Sequence, residues 1–181
     1  EQEREDKKEI LRQMEQADHI LTRDNRNAHI TVSAWIMDRD RKKVLMAYHN
    51  LYQSWAWLGG HADGDADLKA VALKEIREES GLESVRFVTE DIFSLEILTV
   101  DGHEKRGSYV PSHLHLNVTY LLEADPELPL RIKEDENSEI GWIGVEEIQR
   151  RSTEKWFVER IYSKLCKKAQ SLRNGKLAIP E

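Results

Sequence analysis

The chain of 181 residues has a single cysteine, Cys166, so no internal disulfide can form. A reducing, cytoplasmic setting fits that best. Prolines number four and nowhere cluster with the nine glycines into a flexible linker. The apolar runs fall far short of a membrane span. A basic excess is also lacking: 27 Lys and Arg stand against 34 Asp and Glu, a formal net charge of −7. The field of the whole chain therefore does not favour a nucleic-acid polymer or an acidic membrane surface. An acidic substrate would have to be drawn in by a local feature such as a bound cation. The opening EQEREDKKEI does not make a signal peptide, and the absence of an initiating Met suggests that a short leader has been lost. What remains is a composition of 39% hydrophobic and 34% charged residues, that of a charge-rich globular protein with one domain over 1–181.

Periodicity gives a coarse map. Ile10, Met14, Ala17 and Leu21 form a stripe at spacings of three and four, which predicts a helix over 3–22. HITVSAWIM (29–37) and KVLMAYH (43–49) read as a hairpin closed by the turn DRDR. WAWL (55–58) is a short strand leading into a glycine loop, GGHADGD. LKAVALKEIREES (68–80) is helical, with Gly81 as its stop. Strands are expected within 85–100 and 113–124, and a shorter one at IGWI (140–143) before a helix that starts in VEEIQRR. Residues 154–173 predict a last amphipathic helix with Phe157, Ile161, Leu165 and Leu172 on one side. Strands on both sides of a central helix argue for an α/β sandwich with a mixed sheet, plus N-terminal and C-terminal helices.

The stretch 59–82, GGHADGDADLKAVALKEIREESGL, carries the chemistry. At about 100° per residue, Glu78 lies about 60° to one side of Glu75 and Glu79 about 40° to the other. Val71 and Leu82 fall on the same face, so the acids interrupt or border an apolar stripe. Like charges at this spacing destabilise an isolated helix by a few tenths of a kcal/mol, and burial steepens the cost. A divalent cation removes the conflict, and oxygen-only ligands suit Mg2+ or Mn2+. The bland alternative is a solvated face neutralised by Lys69, Lys74 and Arg77. The glycine loop before the helix weighs against it, because such a loop lets backbone approach a ligand.

These residues resemble the box of the Nudix hydrolases: Gly, five residues, Glu, seven residues, then Arg-Glu-U-x-Glu-Glu-x-Gly-U, with U a bulky aliphatic. Counted from Gly60, the end of the box falls on Lys74-Glu75-Ile76-Arg77-Glu78-Glu79-Ser80-Gly81-Leu82. The resemblance covers residues 28–150 as a core, with 1–27 a helical extension and 151–181 a C-terminal helix. Two positions depart: Ala66 stands where the first Glu belongs, flanked by Asp65 and Asp67, and Lys74 replaces the Arg that braces the glutamates. Lysine keeps the charge but loses the planar fork. The resemblance implies a Mg2+- or Mn2+-dependent pyrophosphatase that cleaves the phosphoanhydride bond of a nucleoside diphosphate linked to another moiety. Glu75, Glu78 and Glu79, with Lys74, would carry catalysis. The same three glutamates and the carbonyl of Gly60 would hold the metal. The general base is Glu75 or one of Glu134, Asp135, Glu136 and Glu139 in KEDENSE. The implied partner is a small-molecule diphosphate; a homodimer is open.

His61 abuts the glycine loop, and His113 and His115 share one face of a strand with Asn117. All three histidines are candidates for substrate binding. A zinc site is the weaker reading of the HLHLN face, since no cysteine lies nearby. Lys105 and Arg106 are candidates to meet phosphate. The competing function is a catalytically weak Nudix-like domain that binds or senses a nucleotide or sugar phosphate. An isoprenoid diphosphate isomerase would need a cysteine in the cleft, and Cys166 sits in the last helix.

Overall fold

The computed structural model describes residues 1–105 and 107–174. The elements run α1 (Gln2–Gln16), β1 (Ala28–Met37), β2 (Lys43–His49), β3 (Ser54–Ala56), β4 (Leu58–His61), α2 (Leu68–Ser80), β5 (Arg86–Phe87), β6 (Ser94–Val100), β7 (His103–Lys105), β8 (Ser108–Val110), β9 (His113–Glu123) and β10 (Asn137–Gly144). Three helical pieces follow: α3 (Ile148–Arg151), α4 (Lys155–Phe157) and, beyond a π-helical turn at Val158–Tyr162, α5 (Ser163–Arg173). Eight strands form a mixed sheet in the order β10-β2-β1-β9-β5, with β3 on β2, β4 on β1 and β6 on β9; β7 and β8 pair separately. This is the α/β fold the sequence predicts. Among the described residues no helix is long and apolar enough to cross a membrane. Arg106 and the end of the C-terminal segment, 175–181, lie outside the described residues.

The chain divides into two compact units. The first comprises 1–33, 59–73 and 91–120. Its core is Ile10, Ala28, Ile30, Ala62 and Leu116, with Ile20, Leu21, Leu68, Leu95, Ile97 and Leu114 packed against them. Helix α1 ends at Gln16 although the apolar stripe continues to Leu21. The reason is tertiary: Ile30 N donates to Ile20 O (2.8 Å) and Gly64 N to Leu21 O (2.9 Å), so these two residues serve the core as a turn. Strand β6 has β9 on one side only. On its other side the acids of α1 stand in for a neighbour strand. Glu3 accepts from Leu95 N (3.4 Å) and Asp6 from Ile97 N (3.2 Å), which blunts an otherwise exposed edge.

Glycine is required where β4 meets β1. A Cβ on Gly59 would lie 2.3 Å from Val32 O and 2.9 Å from Ser33 Cα. Gly59, Gly60 and His61 therefore belong to a strand, and the expected loop begins only after them. Beneath, Asn117 binds Thr31, Ser33, Thr119 and Glu96 in one buried polar network.

The second unit comprises 34–58, 74–90 and 121–181. The hairpin predicted from DRDR is closed by Asp38, whose Oδ1 accepts from Lys42 N (2.7 Å) and Lys43 N (2.8 Å). Strand β10 runs antiparallel to β2 from Asn137 opposite His49 to Gly144 opposite Lys43. The terminal helical segment is anchored by Tyr162, stacked on Trp35 at 5.3 Å and edge-on to Trp57 at 5.6 Å. Cys166 is half-buried, and desolvation pushes its thiol up to about 12, so it is an unreactive packing residue.

Candidate active site

Helix α2 begins and ends on signals visible in the chain. Asp67 caps it, accepting from Ala70 N at 3.1 Å. Asp65 in turn accepts from Asp67 N at 2.9 Å. The two acids that flank Ala66 are thus occupied with starting the helix. At the other end Gly81 adopts φ 72°, Gly81 N donates to Arg77 O (3.0 Å), and Ser80 Oγ bonds back to Ile76 O (2.6 Å). The helix crosses from the first compact unit, which holds Gly60 and His61, into the second, which holds Lys74, Glu75, Glu78 and Glu79.

The three glutamates occupy the last two turns, where the helix dipole is unfavourable to anions. Glu75 and Glu79 are buried, at 9% and 6% exposure, while the Glu78 side chain is 44% exposed. This excludes the solvated-face alternative for two of the three. For Glu75 and Glu78, neutralisation by Lys74 is weak. Lys74 Nζ is 4.0 Å from Glu75 and 3.9 Å from Glu78, at the outer limit of ion pairing, and its side chain is 60% exposed. Arg77 turns away to Glu83 at 3.0 Å. Asn137 Nδ2 reaches Glu79 at a long 3.5 Å. Desolvation, then the neighbouring Glu78, raises the Glu75 pKa above the usual carboxylate range.

Lys133 is a cation that reading the sequence passed over. It lies 3.8 Å from Glu78 and 3.1 Å from Glu136. Partial burial works against its charge, yet the hydrogen bond it donates to Glu136 and the carboxylates of Glu136, Glu75 and Glu78 hold its pKa above the ordinary lysine value. Of the KEDENSE acids weighed as a base, Glu136 is therefore committed to Lys133.

In the first unit the candidate substrate histidines come together, joined by one not singled out before. His29 sits on β1, His61 ends β4, and His113 and His115 open β9. Ring centroids are 5.1 Å apart for His29 and His61, 4.9 Å for His29 and His113, 5.2 Å for His29 and His115, and 5.0 Å for His61 and His115. Desolvation, then the other histidines, lowers the His115 pKa to about 2 and keeps that ring neutral.

A family model described as the NUDIX domain matches residues 27–165. The chain belongs to this family. Nudix membership places it among pyrophosphohydrolases and spans the box, the hairpin before it and the strands after it. Among solved structures, a Caenorhabditis elegans Ap4A hydrolase complex is similar at 17% identity over 81% of this chain and 98% of that one, with a TM-score of 0.57. A UDP-X diphosphatase is similar at 15% identity over 95% of this chain and 73% of that one, with a TM-score of 0.56. An Escherichia coli dihydroneopterin triphosphate pyrophosphohydrolase follows at 13% over 75% and 95%, with a TM-score of 0.53. At these identities the likeness is one of fold. Among curated proteins, none matches by sequence.

Proposed function

We propose that this Nudix protein hydrolyses the phosphoanhydride bond of a nucleoside diphosphate linked to another moiety, with Mg2+ or Mn2+ as cofactor. The observation that carries the reading is the pair of buried carboxylates, Glu75 and Glu79, beside Glu78 at a helix C-terminus, with cations among the described residues no nearer than 3.8 Å to Glu75 or Glu78. An all-oxygen donor set with surplus negative charge fits a hard divalent ion. Glu75, Glu78 and Glu79 would hold it. Such an ion neutralises phosphate oxygens and orients the attacking water.

The side chains supply the rest. The general base would be Glu75 or one of Glu134, Asp135 and Glu139. Lys74 is a positioning residue that touches the rim of Glu75 and Glu78. Lys133 restrains Glu78 from the opposite side of the sequence. The named relatives act on Ap4A, UDP-X and dihydroneopterin triphosphate, so their names leave the linked moiety open and define the panel to test.

The test is phosphate or nucleotide release from that panel with and without Mg2+. Glu78→Gln keeps the shape and removes a charge. Its turnover on the best substrate should fall by at least about a hundredfold, as when a major electrostatic stabiliser is lost. Wild-type turnover in this variant at saturating Mg2+ would overturn the assignment.

A further inference from the structure

Four imidazoles from three strands converge in the first compact unit. His29, His61 and His115 each direct a ring nitrogen to within 4.8 Å of the others. His29 is the decisive member. Its Nδ1 faces Asn25 O at 3.0 Å, which places the ring proton there and leaves Nε2 as a lone pair. That Nε2 is buried and has no hydrogen-bond partner among the described residues. A buried polar atom without a partner carries a desolvation penalty of about 1–3 kcal/mol, and native structures rarely leave one so. Asn25 is itself fixed: its Oδ1 accepts from Asn27 N and Ala28 N, and its Nδ2 donates to Asp18 O. The turn thus holds the His29 ring in place.

The same arrangement recurs on β9. His113 Nδ1 faces Pro111 O at 2.9 Å, and its Nε2 lies 3.2 Å from His115 Nε2. Two nitrogens on one tetrahedral zinc, each bound at about 2.0–2.1 Å, stand roughly 3.3 Å apart. An imidazole that ligates a metal commonly gives its other N–H to a backbone carbonyl, and both His29 and His113 do so.

We propose that His29, His61 and His115, with His113 as the fourth nitrogen, bind one transition-metal ion of the zinc class. An all-nitrogen donor set selects borderline ions such as Zn2+ over the hard Mg2+ that the oxygen-only glutamates suit. This is a second metal site, chemically distinct from the Nudix box. It does not depend on the catalytic reading above. It gives His61, His113 and His115 a use other than substrate contact.

The test uses the tag-free full chain, stripped with chelator, equilibrated with micromolar Zn2+, and assayed for bound metal by mass spectrometry. Wild type should retain one Zn2+ per chain, and Co2+ substituted for it should give the strong visible absorption of a four-coordinate nitrogen site. Glu78→Gln should retain the Zn2+ and the absorption. His61→Gln, a half-buried and gentle change, should weaken Zn2+ at least about a hundredfold, and His61→Ala with His115→Ala should abolish it. Thermal melting in chelator reports whether each variant folds. The proposal is overturned if wild type retains no Zn2+, if a folded His61→Gln binds it as tightly as wild type, or if Glu78→Gln loses it.

Discussion

Replacing Glu75 by Gln separates a functional carboxylate from a structural one. Glu75 is 9% exposed, has Glu78 as its nearest like charge in sequence, and has Lys74 at 4.0 Å and the charge of Lys133 in partial compensation. Its folded pKa is raised, so the folded state binds a proton there more readily than the unfolded chain does. The sign follows: the charged form weakens the metal-free fold at neutral pH, and the penalty fades as pH falls through the raised value. The cost lies between a few tenths of a kcal/mol for an exposed like-charge pair and about 1–3 kcal/mol for a fully buried unsatisfied group. With a cost of about 1 kcal/mol, Glu75→Gln should raise the metal-free Tm by roughly 2–4 °C for a chain of this size. Mg2+ acts oppositely. For a Kd of about 1 mM, about 10 mM Mg2+ stabilises wild type by ~1.4 kcal/mol through mass action, and the variant should lose most of that response. The assay is thermal melting in chelator and in a Mg2+ series, at neutral pH and about one to two pH units lower. Wild type in chelator should become more stable on acidification, and the variant should show a flatter profile. A variant with the wild-type Tm in chelator and the wild-type response to Mg2+ would refute the reasoning and make Glu75 an ordinary helix residue.

Substitutions at two further positions carry separate predictions. Lys74 contacts both Glu75 and Glu78 only at about the ion-pair limit, so Lys74→Arg should keep or improve turnover by restoring a two-pronged donor, and Lys74→Met should raise the Mg2+ concentration needed for half-maximal activity; unchanged turnover and Mg2+ dependence in Lys74→Met would sink that role. Gly59→Ala places a methyl 2.3 Å from Val32 O, a backbone atom that cannot swing aside, so the melting temperature should fall by the equivalent of about 1–3 kcal/mol, and an unchanged melt would show that β4 has slack against β1.

The central helix was legible to the residue because its signals are local. Asp67 caps it, Gly81 stops it in a left-handed turn, and the apolar spacing between them has the helical period. The end of α1 was not legible, since the stripe that predicts helix to residue 22 is honoured by Ile20 and Leu21 in a non-helical turn whose carbonyls bind β1 and the loop after β4. Periodicity reports which residues are buried and is silent on where their backbone bonds go. The glutamates were legible as a set because i, i+3 and i+4 fix their common face before any tertiary contact exists. Their burial was the part that needed the structure.

Lys133 and His29 mark the limit of such reading for the same reason. Lys133 is separated from Glu78 by 54 intervening residues, and the pairing of β10 with β2 fixes where the loop carrying it ends. In the sequence it is one basic residue in an acidic run, and the acids draw the eye. His29 stands among β-branched and aromatic residues whose spacing marks a core strand, and nothing there distinguishes a ligand from a packed ring. HLHLN announced two imidazoles on one face, but a zinc reading was set aside for want of a nearby cysteine. The proposed site needs no sulfur, and its remaining nitrogens come from strands that precede HLHLN by at least 50 residues. Two isolated histidines at strand ends, beside an HxH pair on a third strand, are the pattern that would have pointed there, because a sheet brings strand ends together whatever their distance in sequence.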